Sequence, residues 1–204
     1  GTEAQFFTYS EADNSITSYS KLNGLNDTNI TAINVDPLSN TTIIGYENGN
    51  IDLMYNNQVV NIPFIKNSNN IVGSKKINNI HVDEGMAFLA CDFGLVKLNI
   101  NNYEILDTYY FWNNGAYGSV LDCFVFNSSS TDVTLSNKIY VSTTFGLFSA
   151  NKNNPNLLDP SSWENEYSIL TNQGVVENVT FTNGIKKIIG QKNGTHELIL
   201  IPNN

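Results

Sequence analysis

The stretch INNIHVDEGMAFLACDFGLVKLNINN, residues 77–102, decides the fold. An apolar segment is followed by the turn Asp83–Gly85, and a second apolar segment is followed by a turn that ends in Gly94. A third apolar segment then runs into Asn-Asn. Because β-branched and aromatic residues are frequent on both sides of each turn, the pattern favours strands over helices. The stretch therefore predicts an antiparallel meander with short turns.

Similar stretches occur before and after this one. Their first strands are predicted at 30–36, 77–83, 120–126 and 176–182. The turn between the second and third strands ends in a glycine each time, at Gly49, Gly94, Gly146 and Gly194. These glycines are 45, 52 and 48 residues apart, and a period of this length with several short strands is typical of propeller blades. We therefore predict an all-β fold, a β-propeller with about four to five four-stranded antiparallel blades in this chain.

The repeat also predicts how the domain is divided. Fourth, outer strands are expected at 58–65, 103–112 and 166–172. The chain is then one propeller domain or fragment, 1–204, with a partial blade at 3–27, blades at 30–67, 77–112 and 120–172, and a partial blade at 176–204. Because open sheet edges favour aggregation, we expect the ring to be completed by further blades of a larger protein or by a second copy in a homodimer.

Composition excludes several classes of partner and site. All ten basic residues are Lys, against 19 acidic residues, for a net charge of −9. Nucleic acid is therefore not a predicted partner, since its phosphates are bound by clustered Lys and Arg. No apolar run is long enough to span a membrane. Cys91 and Cys123 lie in apolar strand patterns, which predicts two buried free thiols.

No pattern in the sequence predicts an enzyme. His81 and Asp83 share a strand face, but Asp83 is better explained as the start of a hairpin turn. No catalytic, metal or cofactor motif is present, so no catalytic residue, metal or cofactor is predicted. The rival hypothesis is a propeller glycan lyase or glycosidase, which needs two carboxylates that converge on the central channel. The candidates on the predicted first strands are Asp36, Asp83, Asp122 and Glu177.

Binding is the better hypothesis, and the segment YYFWNNGAYG, residues 109–118, is its main candidate. Aromatic rings next to amides are typical of surfaces that bind sugars. The candidate binding residues are Trp112, Asn114, Tyr117 and Trp163. The alternative is an outer strand whose aromatic residues alternate between core and solvent, followed by a glycine-rich connection. Trp163 is likewise either the anchor of a long loop or an exposed contact.

Two longer runs resemble a known family. SKKINNIHVDEGMAFLACDFGLVKLNINNYEILDTYYF, residues 74–111, and NKIYVSTTFGLFSANKNNPNLLDPSSWENEY, residues 137–167, resemble the N-terminal β-propeller of PorZ-type proteins from Bacteroidetes. YSKLNGLNDTNITAI, residues 19–33, is similar to the propeller repeats in the periplasmic sensor half of hybrid two-component regulators.

The first resemblance implies a non-enzymatic scaffold that is exported by the type IX secretion system and retained at the outer-membrane cell surface. It implies secretion-system surface proteins such as the sortase as partners, and anionic lipopolysaccharide or another glycan as a further partner. A second propeller and a C-terminal β-sandwich are expected elsewhere in the whole protein. The second resemblance implies the alternative, a periplasmic propeller that senses carbohydrate.

Overall fold

The structure is a computed structural model that describes residues 4–113, 115–126 and 137–166, together with the backbone of residues 185–191 and 197–202. The α-helix α1, Phe64–Asn67, has four residues. Single 3₁₀ turns lie at Lys21–Asn23 and Pro160–Ser162. The strands, in chain order, are β1 Gln5–Ser10, β2 Ser15–Ser20, β3 Ile30–Asp36, β4 Thr41–Tyr46, β5 Ile51–Tyr55, β6 Gln58–Ile62, β7 Ile77–Asp83, β8 Met86–Cys91, β9 Gly94–Asn99, β10 Glu104–Tyr109, β11 Trp112–Asn113, β12 Ala116–Tyr117, β13 Val120–Val125, β14 Lys138–Thr143, β15 Gly146–Asn151, β16 Glu164–Asn165, β17 Ile185–Gln191 and β18 Glu197–Pro202.

Three antiparallel sheets of four strands follow one another along the chain. They are β3–β6, β7–β10 and β13–β16, and in each sheet consecutive strands are neighbours. The strand pairs β1–β2, β11–β12 and β17–β18 form two-stranded sheets. The first strand of each four-stranded sheet begins at the predicted residue, and the repeated meander confirms the predicted all-β fold class.

The predicted fourth strands are wrong at their ends. β6 stops at Ile62, because Pro63 has no N–H to continue the ladder and the chain turns into α1. β10 ends at Tyr109, three residues before the predicted end. β16 lies just before the predicted 166–172, where Glu164 and Asn165 pair with β15. Residues 167–172 and the predicted strand 176–182 lie outside the described residues.

A β-bulge lies at the same place on each of the three first strands. The register shifts between Ile30 and Ala32 on β3, and equivalent shifts lie at Ile77/Asn79 on β7 and at Val120/Asp122 on β13. A bulge locally increases the right-handed twist of a strand. Since the three sheets share this shift, they can be compared position by position.

The core lies between neighbouring sheets, at two junctions with different side chains. The first junction, between β3–β6 and β7–β10, is filled by aliphatic residues that include Ile43, Leu53, Ile77 and Leu89. The second junction, between β7–β10 and β13–β16, combines aliphatic residues with four buried aromatic residues, Phe88, Tyr109, Phe111 and Trp163. Full burial of one such side chain is worth about 1.5–3 kcal/mol, so these layers supply most of the driving force for sheet packing.

The meander gives the sheets two distinct ends. At the hairpin end lie the turns that join first to second strands and third to fourth strands. At the crossover end lie the turns between second and third strands, together with the connections that lead from one sheet to the next. Because consecutive strands are antiparallel in all three sheets, this division holds for each of them.

Candidate functional site

The aromatic hairpin, residues 110–113 and 115–118, lies at the crossover end of the second junction. It leads from the outer strand β10 to β13, the first strand of the next sheet, and contains the short strands β11 and β12. Loops at the ends of propeller sheets are where such folds carry binding residues. The aromatic hairpin, which contains two of the predicted binding residues, Trp112 and Tyr117, is therefore a candidate binding site.

Alternation along the chain decides which rings face solvent. Tyr109 and Phe111 are buried, whereas Tyr110 and Trp112 are exposed. The Phe111 ring packs edge-on against Trp163, with 5.1 Å between ring centroids. Because neighbouring side chains in an extended chain point to opposite sides, each buried ring fixes the direction of the exposed ring that follows it. The aromatic residues of this segment thus alternate between the core and solvent.

Three exposed rings form one continuous surface. Trp112 and Tyr117 are directly opposite each other on β11 and β12, and their ring centroids are 4.3 Å apart at an interplanar angle of 47°. Tyr110 adds a third ring, with its centroid 5.4 Å from that of Tyr117. Trp112 and Tyr117 are each 53% exposed. Such a surface offers large apolar faces with polar edges.

The base of the aromatic hairpin is held by several contacts. The Gly118 N–H donates to the Phe111 carbonyl at 2.8 Å, and the Thr144 N–H donates to the Ser119 carbonyl at 3.0 Å. A Cβ atom on Gly118 would lie only 2.7 Å from the Phe145 ring, so the close approach requires glycine. The rings are thus presented by a fixed base, which lowers the entropic cost of binding.

The candidate residues separate into three groups. Trp112 and Tyr117 lie side by side, and Asn114 lies outside the described residues. Trp163 does not join them, because it is only 8% exposed and its indole N–H donates to the Leu157 carbonyl at 2.9 Å. Of the two roles predicted for Trp163, the structure thus shows the anchor of the long loop. Tyr110 was missing from the candidates, although its alternation with Tyr109 is visible in the sequence.

The aromatic hairpin is suited to binding rather than to acid–base chemistry. Its exposed residues are rings with hydroxyl and indole N–H groups, which can stack on apolar faces and donate single hydrogen bonds. A Lys or Arg side chain of a partner could also pack over these ring faces. Aromatic residues of this kind are enriched at protein interfaces, where they contribute much of the binding energy.

The described acids on the first strands have separate partners. Asp36 accepts hydrogen bonds from the backbone of Leu38 and Ser39, which closes its own turn. The Lys152 ammonium lies 3.0 Å from the Asp83 carboxylate. Asp122 accepts from the Asn79 amide and from the Cys123 N–H. Among the described residues these acids are therefore not gathered into one pair, and Glu177 lies outside them.

Other reactive groups have structural surroundings. Cys91 and Cys123 are buried free thiols, as predicted, and burial is the main cause that raises the pKa of both. Neither thiol is therefore prepared to act as a nucleophile. The described ranges contain no group of three or more His, Cys, Asp or Glu placed to hold a metal ion. The helical segments in those ranges are too short to be membrane spans.

Comparison with known families gives a match over most of the chain. Residues 2–164 match the family described as the PorZ N-terminal β-propeller domain of TSS9, the type IX secretion system. The chain belongs to this family. The match begins before β1 and ends at the first residue of β16, so it includes the aromatic hairpin and the three four-stranded sheets up to that residue. A search of curated proteins finds no match to this PorZ-type domain.

Solved structures confirm the propeller fold. The extracellular domain of BT4673, described as a one-component system of B. thetaiotaomicron, aligns with 99% of this chain at a TM-score of 0.69 and 13% identity. The extracellular domain of BT3049, described as a hybrid two-component system of the same organism, aligns with 84% at 0.54 and 11%. The WD40 β-propeller domain of Doa1 aligns with 91% at 0.55 and 11%.

These similarities show a shared fold. Sequence identities this low carry no information about ligands. The aligned part makes up 24% of the BT4673 chain, 22% of the BT3049 chain and 53% of the Doa1 chain. The chain thus spans about a quarter of the length of the two bacterial proteins it resembles in structure.

Proposed function

We propose that this domain is a non-enzymatic interaction scaffold of the type IX secretion system. In this proposal the protein is exported to the outer-membrane cell surface, where it assists the attachment of secreted cargo to anionic lipopolysaccharide. The observation that carries the proposal is the match of residues 2–164 to the PorZ N-terminal propeller family. The fold supports a scaffold, since propellers present loops at both ends of their sheets.

The aromatic hairpin is the surface through which we expect the domain to contact a partner protein, such as the sortase. Tyr110, Trp112 and Tyr117 form a contiguous exposed patch on a fixed base. Interface energy is usually concentrated in a few aromatic residues of this kind. Since their rings are already in contact with one another, few side-chain rotations have to be frozen when a partner binds.

Contact with a protein is favoured over direct contact with lipopolysaccharide phosphates. The chain carries a net charge of −9 and has no Arg, so it repels anions and lacks the bidentate phosphate ligand. Several lysines are also engaged within the protein. The Lys66, Lys138 and Lys152 ammonium groups pair with carboxylates, and Lys75 donates to the backbone carbonyls of Lys66 and Ser68.

The test is a pull-down from outer-membrane extract with quantitative mass spectrometry, followed by a binding titration with purified sortase. The double variant Trp112→Ala/Tyr117→Ala should weaken sortase binding at least about tenfold, since both rings lie at the centre of the patch. Phe64→Ala is the matched control, because Phe64 is an exposed aromatic residue on α1, outside the aromatic hairpin.

Equal binding by wild type and the double variant would contradict the assigned surface. Failure of the wild-type protein to bind the sortase or any other type IX component would contradict the scaffold itself. Direct binding of purified anionic lipopolysaccharide that persists in the double variant would show that attachment does not pass through the aromatic hairpin.

A further inference from the structure

A second possible site lies at the hairpin end of the first junction, where a cleft of about 410 Å³ opens between two sheets. Its floor includes the buried side chains Leu53 and Ile100, one from each sheet. Its rim comes from the β3–β4, β5–β6 and β9–β10 turns. Pockets that bind small ligands usually have volumes of roughly 300–1,000 Å³, so the cleft has a suitable size.

The rim of the cleft carries polar side-chain groups without a hydrogen-bond partner among the described residues. The amides of Asn40, Gln58 and Asn101 and the hydroxyls of Tyr55 and Tyr103 all line the cleft. In the described part of the chain, none of these five side-chain groups takes part in an intramolecular hydrogen bond. Tyr55 and Tyr103 are 51% and 47% exposed, and neither ring packs against another described ring. Their faces and edges are therefore available to a ligand.

No described residue that lines the cleft is charged. Amide and phenol groups both donate and accept hydrogen bonds, which matches them to ligands whose groups also do both. Sugar hydroxyls have this property, and the C–H faces of a sugar ring suit a tyrosine ring. An acidic or basic ligand would instead enter the cleft without a counter-charge and lose its hydration.

Tyr103 occupies a backbone position that the rest of the chain assigns to asparagine. Its φ of +58° is in the left-handed region, where a bulky side chain is strained. Six of the eight described non-glycine residues with positive φ are Asn. Asn57, the last residue of the equivalent turn in the preceding sheet, has a φ of +61°. The strained backbone of Tyr103 lowers the stability of the fold. A role of the Tyr103 ring in binding would explain why tyrosine occupies this position.

The second junction shows how the same position can be closed. Lys152 follows β15 as Ile100 follows β9, so the two residues are equivalent. The Lys152 ammonium lies 3.0 Å from Asp83 and 3.3 Å from Glu84, across the gap between the sheets. At the first junction, Asp36, the equivalent of Asp83, binds the backbone of its own turn instead. The first junction is thus left without the cross-sheet ion pair that bridges the second.

We propose that this cleft binds a short, uncharged oligosaccharide, with sugar rings against Tyr55 and Tyr103 and hydroxyls on the Asn40, Gln58 and Asn101 amides. A saccharide is favoured over a peptide, because the tyrosine rings and amides that line the cleft suit the faces and hydroxyls of a sugar. The outer strand β6 also lines the cleft, so strand addition of a peptide is the alternative that the test includes. The proposal does not rest on the scaffold function, since the cleft and the aromatic hairpin lie at opposite ends of the sheets.

The test is saturation-transfer difference NMR on the protein with neutral tetrasaccharides: cellotetraose, maltotetraose, laminaritetraose and mannotetraose. Tetragalacturonate serves as a charged comparator, and a Gly-Ser tetrapeptide tests the peptide alternative. At least one neutral tetrasaccharide should bind at millimolar concentration and more tightly than both comparators. Failure of all four neutral sugars to bind, or tighter binding of either comparator, would overturn the proposal.

Variants then locate the binding. Tyr55→Ala and Tyr103→Asn should each weaken binding of the positive sugar at least tenfold. Tyr103→Asn removes the ring while giving the strained position the residue that the preceding turn has, so lost binding cannot be attributed to unfolding. Tyr9→Ala is the control, because Tyr9 is a similarly exposed tyrosine on β1. Sugar binding that survives both cleft variants would overturn the assignment, whatever the sortase experiment shows.

Discussion

The first and second junctions join sheets of the same topology and bulge position, but they are completed in different ways. The first is almost entirely aliphatic and open at its hairpin end, whereas the second contains four buried aromatic side chains and is bridged there by Lys152. Because the backbones are alike, side chains at a few equivalent positions decide whether the gap between two sheets becomes core, ion pair or cleft. Four substitutions test this comparison, in order of decreasing expected effect.

The largest effect is expected from Trp163→Ala in the second junction. Trp163 is buried against Tyr109 and Phe111, so its removal leaves a large cavity and should lower the free energy of unfolding by about 3–5 kcal/mol. Urea denaturation followed by circular dichroism measures the change. The matched control is Trp112→Ala, which removes the half-exposed tryptophan and should change stability by less than about 1 kcal/mol. Similar losses for both variants would contradict the distinction between core and surface.

Lys152→Met tests the bridge at the hairpin end of the second junction. The Asp83 carboxylate is largely buried and would lose its cation, so we expect the free energy of unfolding to fall by about 2 kcal/mol. Asp83→Asn introduced into this variant should recover part of the loss. Lys21→Met, which removes an exposed lysine 3.9 Å from Asp27, should change stability by less than about 0.5 kcal/mol. An unchanged midpoint in Lys152→Met would show that the bridge contributes no stability.

Tyr103→Asn tests the open end of the first junction and should act in the opposite direction. Because Asn tolerates the left-handed region better than Tyr, the free energy of unfolding should rise by about 1 kcal/mol. Thermal unfolding of wild type and variant measures this shift. A lower stability would mean that the Tyr103 ring makes a structural contact, and that its position needs no explanation by a ligand.

The smallest effect concerns the crossover end of the first junction, where Lys66 of α1 pairs with Asp27 at 2.6 Å. Burial by itself would raise the pKa of Asp27, but hydrogen bonds from Lys66 and Asn48 outweigh it and leave this pKa below its ordinary value. The ionised carboxylate therefore stabilises the fold above a pH of about 4, the usual value in an unfolded chain, and this contribution disappears as the pH falls through the lower folded-state pKa.

Asp27→Asn should accordingly lose less stability than wild type between pH 7 and pH 3, by about 1 kcal/mol or less, because the pair is partly exposed. Chemical denaturation at both pH values gives the difference. Identical pH dependence in the two proteins would contradict a contribution from Asp27. Asp27→Asn therefore has the smallest expected effect of the four substitutions, and this effect should depend most on the salt concentration.

Local patterns in the sequence predicted the features that depend on the chain's own neighbours. The first strands at residues 30, 77 and 120 and the turn at Asp83–Gly85 follow from alternation and turn residues, and the structure contains them. The ends of the fourth strands were wrong, since an outer strand has a neighbour on one side only and its length depends on the following connection. Pro63 was a local signal for the end of β6 that the apolar run 58–65 obscured.

Features that depend on contacts between sheets could not be predicted in the same way. The burial of Trp163 requires the path of the loop after β15, which brings it against Tyr109 on a neighbouring sheet. The cleft forms where turns from two sheets come together, and the sequence of one segment alone does not predict this arrangement. Tyr103 did leave a trace, because it follows two asparagines at a turn where another Asn or Gly is the usual residue.

The bulge shared by β3, β7 and β13 has a consequence for how such a protein can change over evolution. Each sheet has its own bulge, and thus its own local increase in twist, on its own first strand. Each sheet is therefore a self-contained structural unit of the propeller. A duplicated, deleted or exchanged module would meet its neighbours with the register it already has, and only the side chains at the two new junctions would need to adapt. Ring size and binding surfaces can then diverge independently of the repeat itself.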